Sequence, residues 1–355
     1  MKILHCADLH LDSKNRFLSS DKAKKRRLEL IETFGKTVNY AVNHGVTACI
    51  ISGDIFDNAN ASKTSIKTVM SIMQSASPLE FFILAGNHDN DSPFSSLDFE
   101  ASNVHIFSDN WEYFDIENVT ITGIIKTYQN SDNMASDLKL NKERFNIVVL
   151  HGDIKNEIRL SDFAFKNIDY MALGHIHSFG SGKIDSIDPR GDYAYSGCLE
   201  GRGFDEEGKK GFIIYDTDTR EINFISNLSK RTVYVLKVDI TGLSGFAPIE
   251  KKIDETLRNE GVSIEDIVRV KLIGKFSSGV NKDVRLLLNE FCDRYFHFEI
   301  EDESKIEILP EEYLNSVSLK GEFVRKVKES GLSEEEENKI IEWGIRALEG
   351  EVDFD

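Results

Sequence analysis

The feature that most constrains the fold is an alternation of short apolar runs with longer segments of helical periodicity. Residues 2–7, 47–52 and 80–85 have the pattern of buried strands. Between them, residues 22–45 and 62–74 repeat apolar side chains at the spacing of one helix face. This strand–helix–strand order predicts βαβ units and a mostly parallel sheet.

Later segments continue the strand pattern. Buried runs return at 146–150 and 170–173, a shorter strand is expected at 119–124, and residues 211–225 have the pattern of a hairpin. So many short strands favour two packed sheets over one open sheet.

The pattern changes near residue 230. Residues 231–302 predict a small β-α-β-α-β unit, and two helices are expected after Pro310. The last helix should begin at Ser333, because Glu336 three residues later completes a capping box. We therefore divide the chain into residues 1–228, 229–303 and 304–355.

Composition sets limits on location and partners. Four scattered cysteines without CxxC spacing predict reduced thiols in a cytoplasmic protein, and the first ten residues lack a signal-peptide pattern. No apolar run approaches the roughly 20 residues that a membrane span needs, so no membrane partner is expected. The net charge is −18, and residues 301–355 hold 17 acidic against 7 basic side chains. An acidic chain is a poor default candidate for nucleic-acid binding.

Metal-binding side chains follow each of the five main predicted strands. Because ligands collect beyond the carboxyl ends of parallel strands, these side chains should converge on one crevice. Five of the nine histidines belong to the set, so chance is a poor explanation. In chain order the clusters are Asp8 and His10; Asp54 and Asp57; Asn87, His88 and Asp89; His151; and His175 and His177.

The glycines and the ligand types support a metal site. Gly53, Gly86 and Gly174 stand where a strand turns into ligand residues, and such turns favour glycine. A single His-x-His pair would more simply be packed core, but the whole set favours ligation. Nitrogen and oxygen donors without thiolate suit Mn²⁺, Fe or Zn²⁺.

The motif order Asp-x-His, Gly-Asp-x-x-Asp, Gly-Asn-His-Asp, His-Gly and Gly-His-x-His resembles the calcineurin-like metallophosphoesterases. "ILHCADLHLD" and "GHIH" resemble the SbcD branch, the nuclease subunit of the bacterial SbcCD complex. "YSGCLEGRGFDEEGKKGF" at 195–212 is similar to the shorter YhaO-like relatives. The resemblance covers residues 1–225 and is weaker over 231–355. It implies a four-layer α/β/β/α sandwich, a small α+β capping domain at 229–303 and a C-terminal helical segment at 304–355.

The resemblance also implies roles for the strand-end residues. Asp54 would bridge two divalent metal ions, for which family precedent favours Mn²⁺. Asp8, His10 and His177 would complete the coordination of one ion, and Asn87, His151 and His175 that of the other.

Four residues would serve catalysis and substrate binding. His88 would lie at the scissile phosphate and assist the leaving oxygen, with Asp89 and Asp57 orienting the ligands. For Asp57, capping of its loop is an equal alternative. Arg202 could contact the substrate, or its Gly-rich segment could be a plain hairpin loop.

The function implied is a metal-dependent DNA exonuclease or endonuclease that hydrolyses phosphodiester bonds with a metal-activated water in DNA repair. Its partner would be an SMC-like ABC ATPase (SbcC-like) docked on the C-terminal helices, and a homodimer could form through helices at 21–44 and 61–77. The basic segment 22–27 could grip DNA phosphates or be a solvated helix start. The alternatives are a phosphodiesterase or phosphatase for small nucleotides or phosphoproteins, and a scaffold without activity.

Overall fold

The structure is a computed structural model that describes residues 1–57, 61–84, 101–187, 190–277 and 282–349. The chain divides into two compact units. The first comprises Met1–Tyr234 with Glu265–Ile267, and the second comprises Val235–Ile264 with Val268–Asp355. Within the described residues, no helix has both the length and the apolar character needed to cross a membrane.

The first unit is built on two six-stranded sheets in the orders β12-β11-β1-β2-β3-β4 and β5-β6-β7-β8-β10-β9. The strands are β1 (Lys2–Cys6), β2 (Ala48–Ser52), β3 (Glu80–Leu84), β4 (Val104–Ile106), β5 (Glu112–Ile116), β6 (Val119–Gly123), β7 (Phe145–His151), β8 (Tyr170–Gly174), β9 (Gly180–Lys183), β10 (Asp192–Tyr195), β11 (Phe212–Asp216) and β12 (Glu221–Ile225). The helices are α1 (Ser20–Asn43), α2 (Lys63–Ser75) and the short α3 (Met134–Asp137), with a 3₁₀ turn at Leu160–Phe163.

The strands that lead to the predicted ligands are parallel within each sheet. β1 to β4 form one parallel set, and β6, β7, β8 and β10 form the other. Parallel strands place their carboxyl ends at the same sheet edge, so both sheets gather ligand-bearing loops at one edge.

Alternation along β1 explains the layering. Ile3 packs between the two sheets, whereas Leu4 and Cys6 pack against Phe34 and Val38 of α1. Burying a side chain such as Phe34 stabilises the fold by roughly 1.5–3 kcal/mol. The first sheet is therefore apolar on both faces, as a parallel sheet covered on both sides requires.

The outer face of the second sheet completes the predicted four-layer α/β/β/α sandwich. Met134 of α3 and Phe163 of the 3₁₀ turn pack on Val148 and Met171. This fourth layer consists of short elements, because residues 124–168 contain turns where the other side has two long helices.

The second unit has a three-stranded sheet in the order β13-β14-β16 and a parallel β15–β17 pair. Its elements are β13 (Val233–Asp239), α4 (Phe246–Asn259), β14 (Ile267–Ile273), β15 (Lys275–Ser277), α5 (Val284–Cys292), β16 (His297–Asp302), β17 (Lys305–Glu307), α6 (Pro310–Leu314), α7 (Leu319–Lys328) and α8 (Glu334–Glu349). The first residues of β13 and β14 belong to the first unit.

Over residues 304–349, the part of the C-terminal segment that the structure describes, there are three helices where two were expected. The extra helix is the five-residue α6, which Pro310 starts and Asn315 ends. The capping box at α8 forms: Ser333 N–H donates to Glu336 Oε2 over 3.0 Å, and Glu336 N–H donates to Ser333 Oγ over 3.4 Å. α7 and α8 bury Val324, Val327, Ile341 and Ile345 against each other.

Candidate metal centre

The candidate site forms where the strand ends of the two sheets meet. The loop after β1 carries Asp8 and His10, and it runs beside the loop after β2, which carries Asp54. Asp8 N–H donates to the Gly53 carbonyl over 3.1 Å, and His10 N–H donates to the Asp54 carbonyl over 2.9 Å. These backbone bonds fix the three side chains relative to one another.

Four of the predicted ligand residues have backbone in the left-handed region, which non-glycine residues rarely adopt. Their φ angles are 52° for Asp8, 40° for His10, 52° for Asp54 and 98° for His175. Such conformations cost about 1–3 kcal/mol each and persist where surrounding structure enforces them, often at functional sites. The backbone at these four residues is therefore held in a strained conformation, as is common where side chains must be oriented for a site.

Two glycines allow the sheets to approach each other at the site. A Cβ on Gly174 would lie 1.8 Å from the Ser52 carbonyl oxygen, and a Cβ on Gly53 would lie 2.1 Å from His151 Nδ1. Gly53 also has φ of 100°. Gly174 is required for its missing side chain, and Gly53 both for its missing side chain and for its left-handed backbone.

His151 ends β7 and crosses to the first sheet. Its Nδ1 lies 2.9 Å from the Ser52 carbonyl, which fixes the proton on Nδ1. Its Nε2 is buried without a hydrogen-bond partner and lies 3.5 Å from Asp54 Oδ2. Burial lowers the pKa of His151 below its ordinary value, so the ring is neutral and Nε2 presents a lone pair.

The described residues contain two groups whose ligand atoms lie within 4.8 Å of one another: Asp8, His10 and His177, and Asp8, Asp54 and His151. Asp8 is common to both groups. Asp54 Oδ2 lies 3.7 Å from His10 Nε2 and 3.5 Å from His151 Nε2. Asp54 thus lies between a histidine of each group, the position expected for the predicted bridging ligand.

His175 enters this cluster through its backbone. Its N–H donates to both carboxylate oxygens of Asp8, over 3.0 and 3.1 Å. Its ring centroid lies 5.4 Å from that of His151, but among the described residues His175 belongs to neither ligand group. The predicted Asn87, His88 and Asp89 lie outside the described residues.

The chemistry of the cluster fits divalent cations. Burial raises the pKa of Asp8 to about 7, because a carboxylate away from water lacks compensating charge. The unpartnered Nε2 of His151 points at the same cluster. A cation would supply both the missing charge and the missing partner, and the nitrogen and oxygen donors suit Mn²⁺, Fe or Zn²⁺.

Glu206 is a residue of the site that the sequence prediction missed. Its Oε1 lies 2.6 Å from His177 Nδ1, and it accepts hydrogen bonds from the backbone and side chain of Arg202. Although burial opposes ionisation, the hydrogen bonds from His177 and Arg202 hold the pKa of Glu206 well below its usual value. The same contact with Glu206 raises the pKa of His177. The available signal was an acid four residues after Arg202 in the glycine-rich loop.

Arg202 and Asp57 lie next to each other at the edge of the cluster. Arg202 Nη1 is 3.0 Å from Asp57 Oδ1, which in turn is 3.7 Å from His10 Nδ1. Arg202 thus contacts two carboxylates, and 17% of its side chain is exposed. This places both predicted residues beside the ligand histidines.

The basic segment 22–27 divides in the structure. Arg26 is fully buried, with Nη2 2.6 Å from Glu200 Oε2 and 2.8 Å from the Gly201 carbonyl. It therefore forms a buried ion pair with Glu200 and is not available to a phosphate. Lys24 and Lys25 are exposed at the start of α1.

Comparison with known proteins agrees with this geometry. The family model for calcineurin-like phosphoesterases matches residues 1–179. The DNA double-strand break repair protein Mre11 of Sulfolobus acidocaldarius is 26% identical over 96% of this chain and 94% of its own length. The uncharacterized metallophosphoesterase YhaO of Bacillus subtilis is 24% identical over 85% of this chain and 79% of its own.

Among solved structures, a dimetal phosphatase from Danio rerio covers 60% of this chain and 91% of its own, with a TM-score of 0.40 and 13% identity. The relatives agree with the SbcD/YhaO-like resemblance of the motifs. With half of its length matched by the family model, this chain belongs to the calcineurin-like phosphoesterase family.

Proposed function

We propose that this protein is a metal-dependent DNA nuclease that hydrolyses phosphodiester bonds in DNA repair. The observation that carries the proposal is the convergence of Asp8, His10, Asp54, His151 and His177 into two adjoining ligand groups at one sheet edge. Family membership makes the chain a phosphoester hydrolase, and the repair proteins among its relatives favour DNA as the substrate.

Two divalent cations, with Mn²⁺ favoured, are proposed to occupy the two groups. Asp8, His10 and His177 would hold one ion and His151 the other, with Asp54 bridging both and with His175 and Asn87 as the remaining predicted ligands. Bound cations of this kind polarise a phosphate and lower the pKa of a coordinated water. His88, with Asp89 and Asp57 orienting neighbouring groups, keeps its predicted role at the leaving oxygen.

The surroundings of the cluster support an anionic substrate. A cavity of about 350 Å³ is lined by three cations, Lys14, Arg16 and Arg202, and by three carboxylates, Asp57, Asp205 and Glu206. Cationic side chains bind strand phosphates and release counterions. Because the whole chain is acidic, DNA contact would rest first on Lys14 and Arg16, since Arg202, at the end nearest the ligand histidines, is already paired with Asp57 and Glu206.

The C-terminal segment is proposed to dock an SMC-like ABC ATPase, and residues 229–303 to act as a capping domain. α8 carries exposed Ile340, Trp343 and Leu348 next to the apolar face it buries on α7. Exposed apolar side chains on an amphipathic helix are suited to a partner helix. A homodimer through α1 and α2 is a further proposal, supported by exposed Leu28 and Val42 on α1.

Cleavage assays with two substrates test the function. The full-length protein is incubated with Mn²⁺ and either linear DNA or a small chromogenic phosphodiester, with EDTA as one control. We expect the rate of DNA cleavage by His151→Ala to fall at least about a hundredfold, because the substitution removes a predicted metal ligand. His44→Ala, which removes an exposed histidine at the end of α1, should cleave as wild type does.

Hydrolysis of the small ester without any cleavage of DNA, even with an ATPase partner added, would contradict the nuclease proposal. It would favour a phosphodiesterase or phosphatase that acts on small nucleotides or phosphoproteins. Wild-type DNA cleavage by His151→Ala would contradict the site itself.

A further inference from the structure

We propose that Glu206 is a positioning residue that orients His177. It would thereby set the affinity with which the ligand group of Asp8, His10 and His177 binds its metal ion. The inference deepens the proposed function, since it rests on the same metal centre. It concerns metal binding, however, and does not depend on DNA being the substrate.

The Glu206 carboxylate is held rigidly. Its side chain is 3% exposed, Arg202 N–H donates to Oε2 over 2.7 Å, and Arg202 Nη2 donates to Oε1 over 2.5 Å. A buried carboxylate with several donors has one orientation, because any rotation would leave a charged oxygen unsatisfied. Glu206 can therefore act as a fixed acceptor for the His177 ring.

The contact with Glu206 determines which nitrogen of His177 is available to a metal. Nδ1–H donates to Glu206 Oε1 over 2.6 Å, so the other nitrogen, Nε2, keeps its lone pair. Nε2 lies 3.3 Å from His10 Nε2, within the Asp8–His10–His177 group. A carboxylate behind a ligand histidine fixes its tautomer and makes it a stronger ligand.

In the second ligand group, the histidine is oriented by the backbone and not by a carboxylate. His151 Nδ1 is oriented by the backbone carbonyl of Ser52, at 2.9 Å, which no side-chain substitution removes. Its Nε2 faces Asp54 Oδ2. The two groups thus depend on different partners, and loss of Glu206 should affect mainly the group that contains His177.

The loop that carries Glu206 is anchored to α1. Arg26 Nη2 donates to the Gly201 carbonyl over 2.8 Å, and Glu200 accepts from Thr33 Oγ1 over 2.5 Å. Arg202, the next residue, donates to Asp57 beside His10. The segment that leads to Glu206 is therefore fixed by these contacts, and Arg202 holds the Glu206 carboxylate in place.

The test compares Mn²⁺ binding by full-length wild type, Glu206→Ala, Glu206→Gln and Glu207→Gln. After EDTA stripping and its removal, each protein is titrated calorimetrically and its Mn²⁺ electron paramagnetic resonance spectrum is recorded. Glu207 is the adjacent exposed glutamate, so its variant controls for lost charge in the same loop.

We expect wild type and Glu207→Gln to bind two ions per chain and to show a spin-coupled pair. Glu206→Ala should bind one of the ions 10–100-fold more weakly while the other stays unchanged, giving the spectrum of an isolated ion at intermediate Mn²⁺. Glu206→Gln should lie between, because its amide oxygen still accepts from Nδ1–H but carries no charge.

Wild-type affinity for both ions in the two Glu206 variants would overturn the proposal. Equal weakening of both ions in Glu206→Gln would overturn it as well, because that result would indicate a general structural role. If Glu206→Ala fails to fold, Glu206→Gln decides the outcome. A protein that binds two ions in this way but cleaves no DNA would contradict the proposed nuclease and leave the role of Glu206 standing.

Discussion

Replacing Gly174 with alanine should weaken the contact between the two sheets at the metal centre. The new methyl carbon would lie 1.8 Å from the Ser52 carbonyl oxygen, whereas ordinary contact begins at 3.4 Å, so about 1.6 Å must be opened between two backbones. Overpacked core sites typically cost about 1–3 kcal/mol, and a clash with backbone belongs at the upper end. We therefore expect the free energy of unfolding to fall by about 3 kcal/mol, roughly a hundredfold in the folding equilibrium.

The two tryptophans allow this loss to be assigned to the first unit. Trp111 is part-buried there and donates to the Met134 carbonyl, whereas Trp343 is exposed on α8. In a Trp343→Phe background, fluorescence during urea unfolding therefore reports the first unit alone. At a slope near 3 kcal/mol per molar urea, the midpoint should shift down by about 1 M.

Gly180→Ala is the matched control, because it also lies in the second sheet and its Cβ would have no atom within 4 Å. Its free energy of unfolding should stay within about 0.5 kcal/mol of that of the parent protein. Equal midpoints for Gly174→Ala and the parent, or equal losses for both alanine variants, would refute the claim that the sheets are packed to contact at Ser52.

Three further predictions follow from buried or capping groups. Burial opposes ionisation of Glu29, but its ion pair with Arg231 lowers its pKa overall. The stabilisation from this pair is therefore present above the ordinary pKa of 4.5 and is lost as pH falls through the lowered pKa. Glu29→Gln should therefore destabilise by roughly 3 kcal/mol at pH 7 in urea unfolding and by progressively less as pH falls below 4.5; a loss that does not change with pH would count against the pair. Burial lowers the pKa of His5 to about 3, so stability should fall as pH drops from 6.5, and His5 should show no NMR titration between pH 8 and pH 5; a normal titration would contradict its burial. Ser333→Ala should lower the stability of the second unit by about 1 kcal/mol by circular dichroism, and no change would contradict the capping box.

Local pattern predicted most of the fold because each long element carries its own periodicity. The apolar spacing of 22–45 appears as α1 at Ser20–Asn43, and the run 80–85 appears as β3 at Glu80–Leu84. Polar strands such as β9, with the sequence GSGK, carry no alternation and form only through pairing with β10.

The candidate site was predictable to the extent that its residues follow strands. Asp8, His10, Asp54, His151 and His177 converge because parallel strands end at one edge. Glu206 could not be found this way, because its contact with His177 joins two loops 29 residues apart. The burial of Arg26 was hidden for the same reason, since its partner Glu200 lies far along the chain.

Anomalous X-ray diffraction from crystals of the full-length protein soaked in Mn²⁺ tests the metal centre most directly. We expect two anomalous peaks at the edge where the sheets meet, one bound by Asp8, His10 and His177 and the other by His151, with Asp54 between them. A single peak, or peaks located away from these side chains, would contradict the proposed metal centre.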